Sequence, residues 1–189
     1  MVRLMVCSDI HARIGHFQDA VVAARAGGPV DAILIAGDLQ MPMAAIDELN
    51  LPEPVHLVHG NNDAALEPMH PADELVIDIS ACGIASVQAL AYHEGAAVRG
   101  GDVAHRIMMT HGHTYRAPRL VRLRQRAATL GADVVIYGHS HRWQVDAGGP
   151  ADALVVNSGT LMPKPGSGRC TFMTMEIDGS DVRVERHEL

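Results

Sequence analysis

Short apolar runs of three to five residues recur along the chain, at residues 4–7, 32–36, 55–58, 107–109, 134–137 and 153–156. Most stop at turn-forming residues, and they show no strict alternation between apolar and polar positions. Such near-continuous Val, Ile and Leu character predicts strands buried on both faces. Residues 15–26 instead carry Phe17, Val21 and Ala24 at helical spacing, and Gly27-Gly28-Pro29 halts them. A second helix is predicted over 118–130, with Leu120, Leu123, Ala127 and Leu130 as its apolar stripe. Pro118 suits an early helical position there and Gly131 a stop. Residues 75–79 alternate more and pair with 85–90 as neighbouring strands. The tail, 170–177 and 182–185 about Asp178-Gly179-Ser180-Asp181, predicts a hairpin. Strands alternating with helices, then a hairpin-rich second half, indicate an α/β layered domain. No repeat or linker divides the 189 residues, so residues 1–189 are expected to form one domain.

Almost every buried-looking run ends in Asp, Asn, His and Gly. The clusters are Ser8-Asp9-Ile10-His11, Gly37-Asp38, Gly60-Asn61-Asn62-Asp63, Thr110-His111-Gly112-His113 and Gly138-His139-Ser140-His141. Open α/β sheets bind ligands beyond the carboxyl ends of their strands, so these clusters are expected to converge on one crevice. Asp9 and His11 are two apart, as are His139 and His141, and extended chain points residues i and i+2 the same way. The candidate metal ligands are Asp9, His11, Asp38, Asn61, His111, His139 and His141. With Asp38 shared between two ions, each ion has four protein ligands and positions left for water and substrate. Oxygen and imidazole without thiolate suit Mn, Fe, Co, Ni or Zn better than an all-oxygen Ca or Mg cage. Two divalent ions against two carboxylates leave net positive charge, which attracts anions, phosphate above all.

Composition narrows the partners. Lys and Arg number 15 against 22 Asp and Glu, a formal charge of −7, which argues against a duplex nucleic-acid partner. Aromatic residues are 3%, too few for single-strand stacking platforms. The one basic run, Arg116, Arg119, Arg122, Arg124 and Arg126, reads as a solvated helix face, with a substrate or partner surface as the alternative. No stretch approaches the ~20 apolar residues of a membrane span. The opening seven residues are too short for a signal core, so a cytoplasmic location is expected. Cys7, Cys82 and Cys170 form neither a disulfide framework nor a zinc-finger pattern. Cys7 is expected as a small buried hydrophobe, and Met41, Met43, Met108 and Met109 as packing residues.

Taken in order, Asp-x-His, Gly-Asp, Gly-Asn-x-Asp, Thr-His-Gly-His and Gly-His-x-His resemble the calcineurin-like metallophosphoesterases. The likeness is nearest to their small bacterial and archaeal phosphodiesterase branch, over residues 2–177. Asn157-Ser158-Gly159-Thr160 stands where that family usually has an Asn-Pro-Gly-Ser turn. The resemblance implies a four-layer αββα sandwich with a binuclear centre at the strand ends. It would put Asp9, His11, Asp38 and His141 on one ion and Asp38, Asn61, His111 and His139 on the other. It implies a metal-dependent hydrolase, a phosphodiesterase before a phosphatase, using two divalent ions (Mn first; Ni, Co, Fe or Zn as alternatives). Asp38, Asn61 and His111 would be its catalytic core. Hydroxide formed on the paired ions would attack a small phosphate ester in line. No membrane partner is expected, and a homo-oligomer is left open.

Many relatives carry a His after the Asn of the third motif, thought to protonate the leaving group. Here that residue is Asn62, which cannot titrate; the phosphodiesterase branch lacks the His as well. Leaving-group protonation is therefore expected to be weak, or to come from His113 or water, with rates depending steeply on leaving-group pKa. Asn62 and His113 are the candidate substrate contacts. His59 is a candidate pocket-lining residue, whereas His16, His56, His70, His93, His105 and His187 read as structural or surface histidines. The competing function is a catalytically weak metal-binding scaffold, because a retromer subunit shares this fold. The presence of all seven ligand residues counts against it. Residues 40–50 and 64–72, expected to wall the pocket, carry no substrate-specific signal.

Overall fold

The computed structural model describes residues 1–63, 71–98, 100–163 and 168–189. Among these described residues, eleven strands and three helices follow the order β1 (Val2–Cys7), α1 (Ile14–Ala26), β2 (Ala32–Ile35), α2 (Met43–Asp47), β3 (Val55–Leu57), β4 (Glu74–Ser80), β5 (Gly83–Leu90), β6 (His105–Thr110), α3 (Arg119–Leu130), β7 (Val134–Tyr137), β8 (Trp143–Asp146), β9 (Leu154–Ser158), β10 (Thr171–Asp178) and β11 (Asp181–Glu188). They build a five-stranded sheet, β11-β10-β1-β2-β3, and a six-stranded sheet, β5-β4-β6-β7-β9-β8. β1, β2 and β3 run parallel, as do β6, β7 and β9. The remaining pairs are antiparallel and close the sheet margins.

The two-residue period of a strand sorts each apolar run between two layers. Leu4 and Val6 of β1, Leu34 of β2, Ile77 of β4, Ile107 of β6 and Ile136 of β7 face a core shared by the two sheets. Their alternates in the first sheet, Met5, Cys7, Ile33 and Ile35, pack on Phe17, Ala20, Val21 and Ala24 of α1. In the second sheet Val76, Met108 and Val135 pack on Leu123, Ala127 and Leu130 of α3. Helix, sheet, sheet, helix is the four-layer sandwich expected. Gly131 ends α3 in the left-handed conformation, φ 66°, the helix stop expected there. Pro118 caps α3 instead of occupying its first turn.

Two elements escaped the apolar pattern. Helix α2 buries only Ile46 and lies in the stretch expected to be loop. Strand β8 has no apolar run and is held by pairing with β9. The arginine run is a larger correction, because it is not a solvated face throughout. Arg116 and Arg122 are exposed, but Arg126 is buried and its Nε donates to Glu74 Oε2 at 2.9 Å. Arg124 is half-buried and pairs with Asp146. Helical spacing puts Arg119, Arg122 and Arg126 on one side of α3 and Arg124 on the other, and the carboxylates that neutralise Arg126 and Arg124 come from β4 and β8.

Candidate metal centre

The crevice lies beyond the carboxyl ends of β1, β2, β6 and β7. Five candidate ligands there have positive φ without being glycine: Asp9 (53°), His11 (47°), Asp38 (55°), His139 (64°) and His141 (56°). Each such conformation costs on the order of 1–3 kcal/mol and persists where the surroundings over-determine it. The loops supply that constraint to one another. Asp9 N–H donates to Gly37 O and His11 N–H to Asp38 O, both at 3.0 Å, and His139 N–H donates to Asp9 Oδ2 at 3.0 Å. Glycine is required where the loops cross: a Cβ on Gly60 would lie 2.2 Å from Asp38 Oδ1, and one on Gly37, itself at φ 85°, 2.6 Å from His111 Nδ1.

These constraints aim lone pairs at one another. His111 Nδ1 lies 2.8 Å from Ala36 O, which only a ring N–H satisfies, so a neutral His111 presents an Nε2 lone pair. That atom stands 3.2 Å from Asn61 Oδ1 and 3.4 Å from Asp38 Oδ2. Asp38 Oδ2 is also 3.8 Å from His11 Nε2, so one carboxylate oxygen faces both halves of the cluster. His11 Nε2 and His141 Nε2 are 3.3 Å apart. Asp9 Oδ1 lies 3.0 Å from His141 Nε2, yet it is buried and has no well-aligned hydrogen-bond donor among the described residues. Ligand atoms of Asp9, His11 and His141, and of Asp9, Asp38 and His111, come within 4.8 Å of one another. Acceptors packed around common points, one of them orphaned, fit divalent cations that accept from all of them. Asp9, His11, Asp38, Asn61, His111 and His141 are thus brought together. His139 stands beside them with its ring 5.3 Å from that of His111, outside both groups of close ligand atoms.

The electrostatics follow this geometry. Burial by itself would raise the Asp38 carboxyl, but His111 and the two Asn62 donors outweigh it and hold it well below the ordinary carboxylate range. His111 is raised because the Asp38 and Asp9 charges overcome its burial. His141 is raised chiefly by its contact with Asp9. Burial and the nearby His111 charge lower His139. His113 is pushed down to about 4, by burial first and then by His111 and His139. Tyr92 donates its hydroxyl to His59 O at 3.1 Å, so His113 Nδ1, 3.3 Å from that oxygen, is the donor between them. A neutral His113 therefore offers Nε2 as an acceptor, a poor arrangement for protonating a leaving group.

Several residues act on the cluster from behind it. Asn62, a candidate substrate contact, gives two donors to Asp38: its backbone N–H to Oδ1 at 2.9 Å and its amide Nδ2 to Oδ2 at 2.7 Å. Asp63 escaped the sequence argument altogether. Buried, it accepts from the backbone N–H groups of Asp38, Gly60 and Gln40, each at 2.8 Å, and so pins the loops that carry Asp38 and Asn61. Its place at the end of Gly-Asn-Asn-Asp was the available signal. Asn157 donates Nδ2 to Gly138 O at 2.7 Å, and Thr160 donates Oγ1 to Asp9 O at 2.9 Å, so the last motif holds two of the ligand loops. Cys7 is buried and its thiol pushed up by burial, as a packing residue would be. His105 and His187 bond to Asp133 and Thr174, consistent with structural roles, while His70 lies outside the described residues.

A family model for the calcineurin-like phosphoesterase superfamily domain matches residues 2–180. Among solved structures, a predicted phosphoesterase from Streptococcus pneumoniae is 22% identical, with 99% of this chain and 89% of that chain covered and a TM-score of 0.67. An archaeal phosphodiesterase is 19% identical over 98% of this chain and 100% of its own, at TM-score 0.65. Vps29 from Entamoeba histolytica, solved in complex with zinc, is 20% identical over 99% of both chains, at TM-score 0.63. At such identities these likenesses show the fold. A search of curated proteins finds no match.

Proposed function

Because the chain belongs to the calcineurin-like phosphoesterase superfamily, we propose that it is a metal-dependent phosphodiesterase that hydrolyses a small phosphate ester at a two-metal centre. The observation that carries this is Asp38 Oδ2, which faces His11 Nε2 on one side and His111 Nε2 on the other. Asp9, His11, Asp38 and His141 would hold one divalent ion, and Asp38, Asn61, His111 and His139 the second. Bound there, the ions would supply Lewis acidity to the phosphoryl oxygens and a water acidified toward neutrality. The chain's own part is placement. Ala36 O keeps His111 in the tautomer that offers Nε2. Asn62 and Asp63 fix the orientation of the Asp38 carboxylate and its loop. Manganese is the first metal to try, and a cytoplasmic location goes with this reading. Among the described residues no helix is long and apolar enough to cross a membrane.

His113, as an acceptor, and Asn62, which cannot titrate, are both poorly suited to protonate a leaving group. Turnover of bis(4-nitrophenyl) phosphate is expected with at least one of Mn, Co, Ni or Zn. In a series of phenol esters, rates should fall steeply as leaving-group pKa rises. A flat series would restore a general acid, and no turnover with any of the four metals would overturn the hydrolase. The latter result would favour the non-catalytic scaffold, against which the intact donor set argues.

A further inference from the structure

His139 and His141 also open into a recess of about 460 Å3 whose other lining residues are Ser140, Arg142, Thr160, Pro163 and Arg169. Its lining includes Arg142 and Arg169 and, among the described residues, no Asp or Glu, in a chain where acidic side chains outnumber basic ones by 22 to 15. Local cationic charge against a negative whole marks a place built for an anion. The guanidinium groups are not consumed by internal pairing. Arg169 reaches Glu188 only at 3.8 Å and its side chain is 74% exposed, while Arg142 makes no salt bridge among the described residues. The backbone around them is fastened to the cluster. Thr160 bonds Asp9 O and receives Met162 N–H at 2.9 Å, and His16 bonds Leu161 O at 2.7 Å. An anion seated here would keep a defined position relative to Asp9 and His141.

We propose that this recess is a second anion subsite, and that the substrate carries a further phosphate group on one arm, held by Arg142 and Arg169. Two guanidinium forks suit a phosphate dianion, which offers three acceptor oxygens and two charges, better than a single carboxylate. The volume falls in the range of small-molecule sites and has room for a sugar or similar spacer between the two phosphates. The identity of the second group as part of a substrate rests on the hydrolase proposed above; the anion preference of the recess does not.

The test uses a matched pair of esters, thymidine 5′-(4-nitrophenyl phosphate) with and without a 3′-phosphate. The metal-loaded protein should show kcat/KM about tenfold or more higher for the 3′-phosphorylated ester, mainly through KM. In the Arg142→Gln, Arg169→Gln double variant the ratio between the two esters should collapse toward one. Equal rates in the wild type, or a preference that survives both substitutions, would overturn the subsite and leave the hydrolase standing. Calorimetric titration with thymidine 3′,5′-bisphosphate gives a readout free of turnover. Affinity about tenfold weaker in the double variant supports the subsite even if neither ester is cleaved, an outcome that would remove only the hydrolase. Unchanged affinity overturns it.

Discussion

Glu74 and Asp38 are both buried carboxylates, at 0% and 1% exposure, and they stand in opposite states. Glu74 begins β4 and is closed on every side: the Tyr115 hydroxyl donates to one oxygen and Arg126 to the other. Arg126 spends its remaining donors on Glu94 O and Gly95 O. Beside this pair, Arg106 bonds both oxygens of Asp78, at 2.7 and 2.9 Å. Asp38 follows β2 and meets no guanidinium among the described residues; Asn62 gives it two donors, while its Oδ2 looks into the Nε2 atoms of His11 and His111. A carboxylate matched by guanidinium is complete and serves the fold. One that faces imidazole nitrogens needs a proton or a cation between them, so the protein keeps strain and a buried acceptor without an aligned donor at one end of its sheets, whereas the pairs beneath α3 are closed by arginine.

Three substitutions press on that contrast. The largest effect is expected for Asp38→Ala, which removes the oxygen shared by both halves of the cluster. Turnover should fall by more than about a hundredfold, beyond the loss usual for groups that merely support ligands. The metal-free unfolding midpoint should fall, but by less than in the arginine variant below, because Asp38 is held by Asn62 donors and His111 and not by a matched guanidinium. Mn at a hundred times its Kd should stabilise the wild type by about 2.7 kcal/mol and the variant far less, as read by thermal or denaturant unfolding. Arg126→Met comes next and should show the opposite balance. Leaving Glu74 buried without its partner should cost about 3–5 kcal/mol in denaturant unfolding, with metal stoichiometry unchanged. If both variants destabilise the metal-free protein alike, the distinction between complete and incomplete clusters fails. The smallest effect is Asn62→Ala. It frees Asp38 to rotate and should weaken metal affinity about 10–100-fold by equilibrium titration without abolishing turnover at saturating metal.

Much of this molecule can be read along the chain. The strands of both cores, α1, α3 and the C-terminal hairpin are written in apolar periods that act over a few residues. The residue types of the centre stand where five strands end. What could not be read depends on partners far apart in sequence. Asn62 and Asp63 lie 24 and 25 positions from Asp38, and nothing in Gly-Asn-Asn-Asp says which of the two amides turns back onto that carboxylate. The Arg126 side chain lies on the same strip of α3 as the exposed Arg122, and Glu74, 52 positions away, is its buried partner. β8 exists because β9 offers a free edge, not because its own residues prefer a strand.

The sequence by itself determined the layers, the segments that converge and the chemical kind of the centre, because side-chain period and turn chemistry are local properties. Only the tertiary structure decided which carboxylate oxygens and imidazole nitrogens meet, which carboxylates are closed by arginine, and that Arg142 and Arg169 line a recess with His139 and His141. Those outcomes depend on two sheets packed face to face, which sets distances between loops that no local pattern encodes.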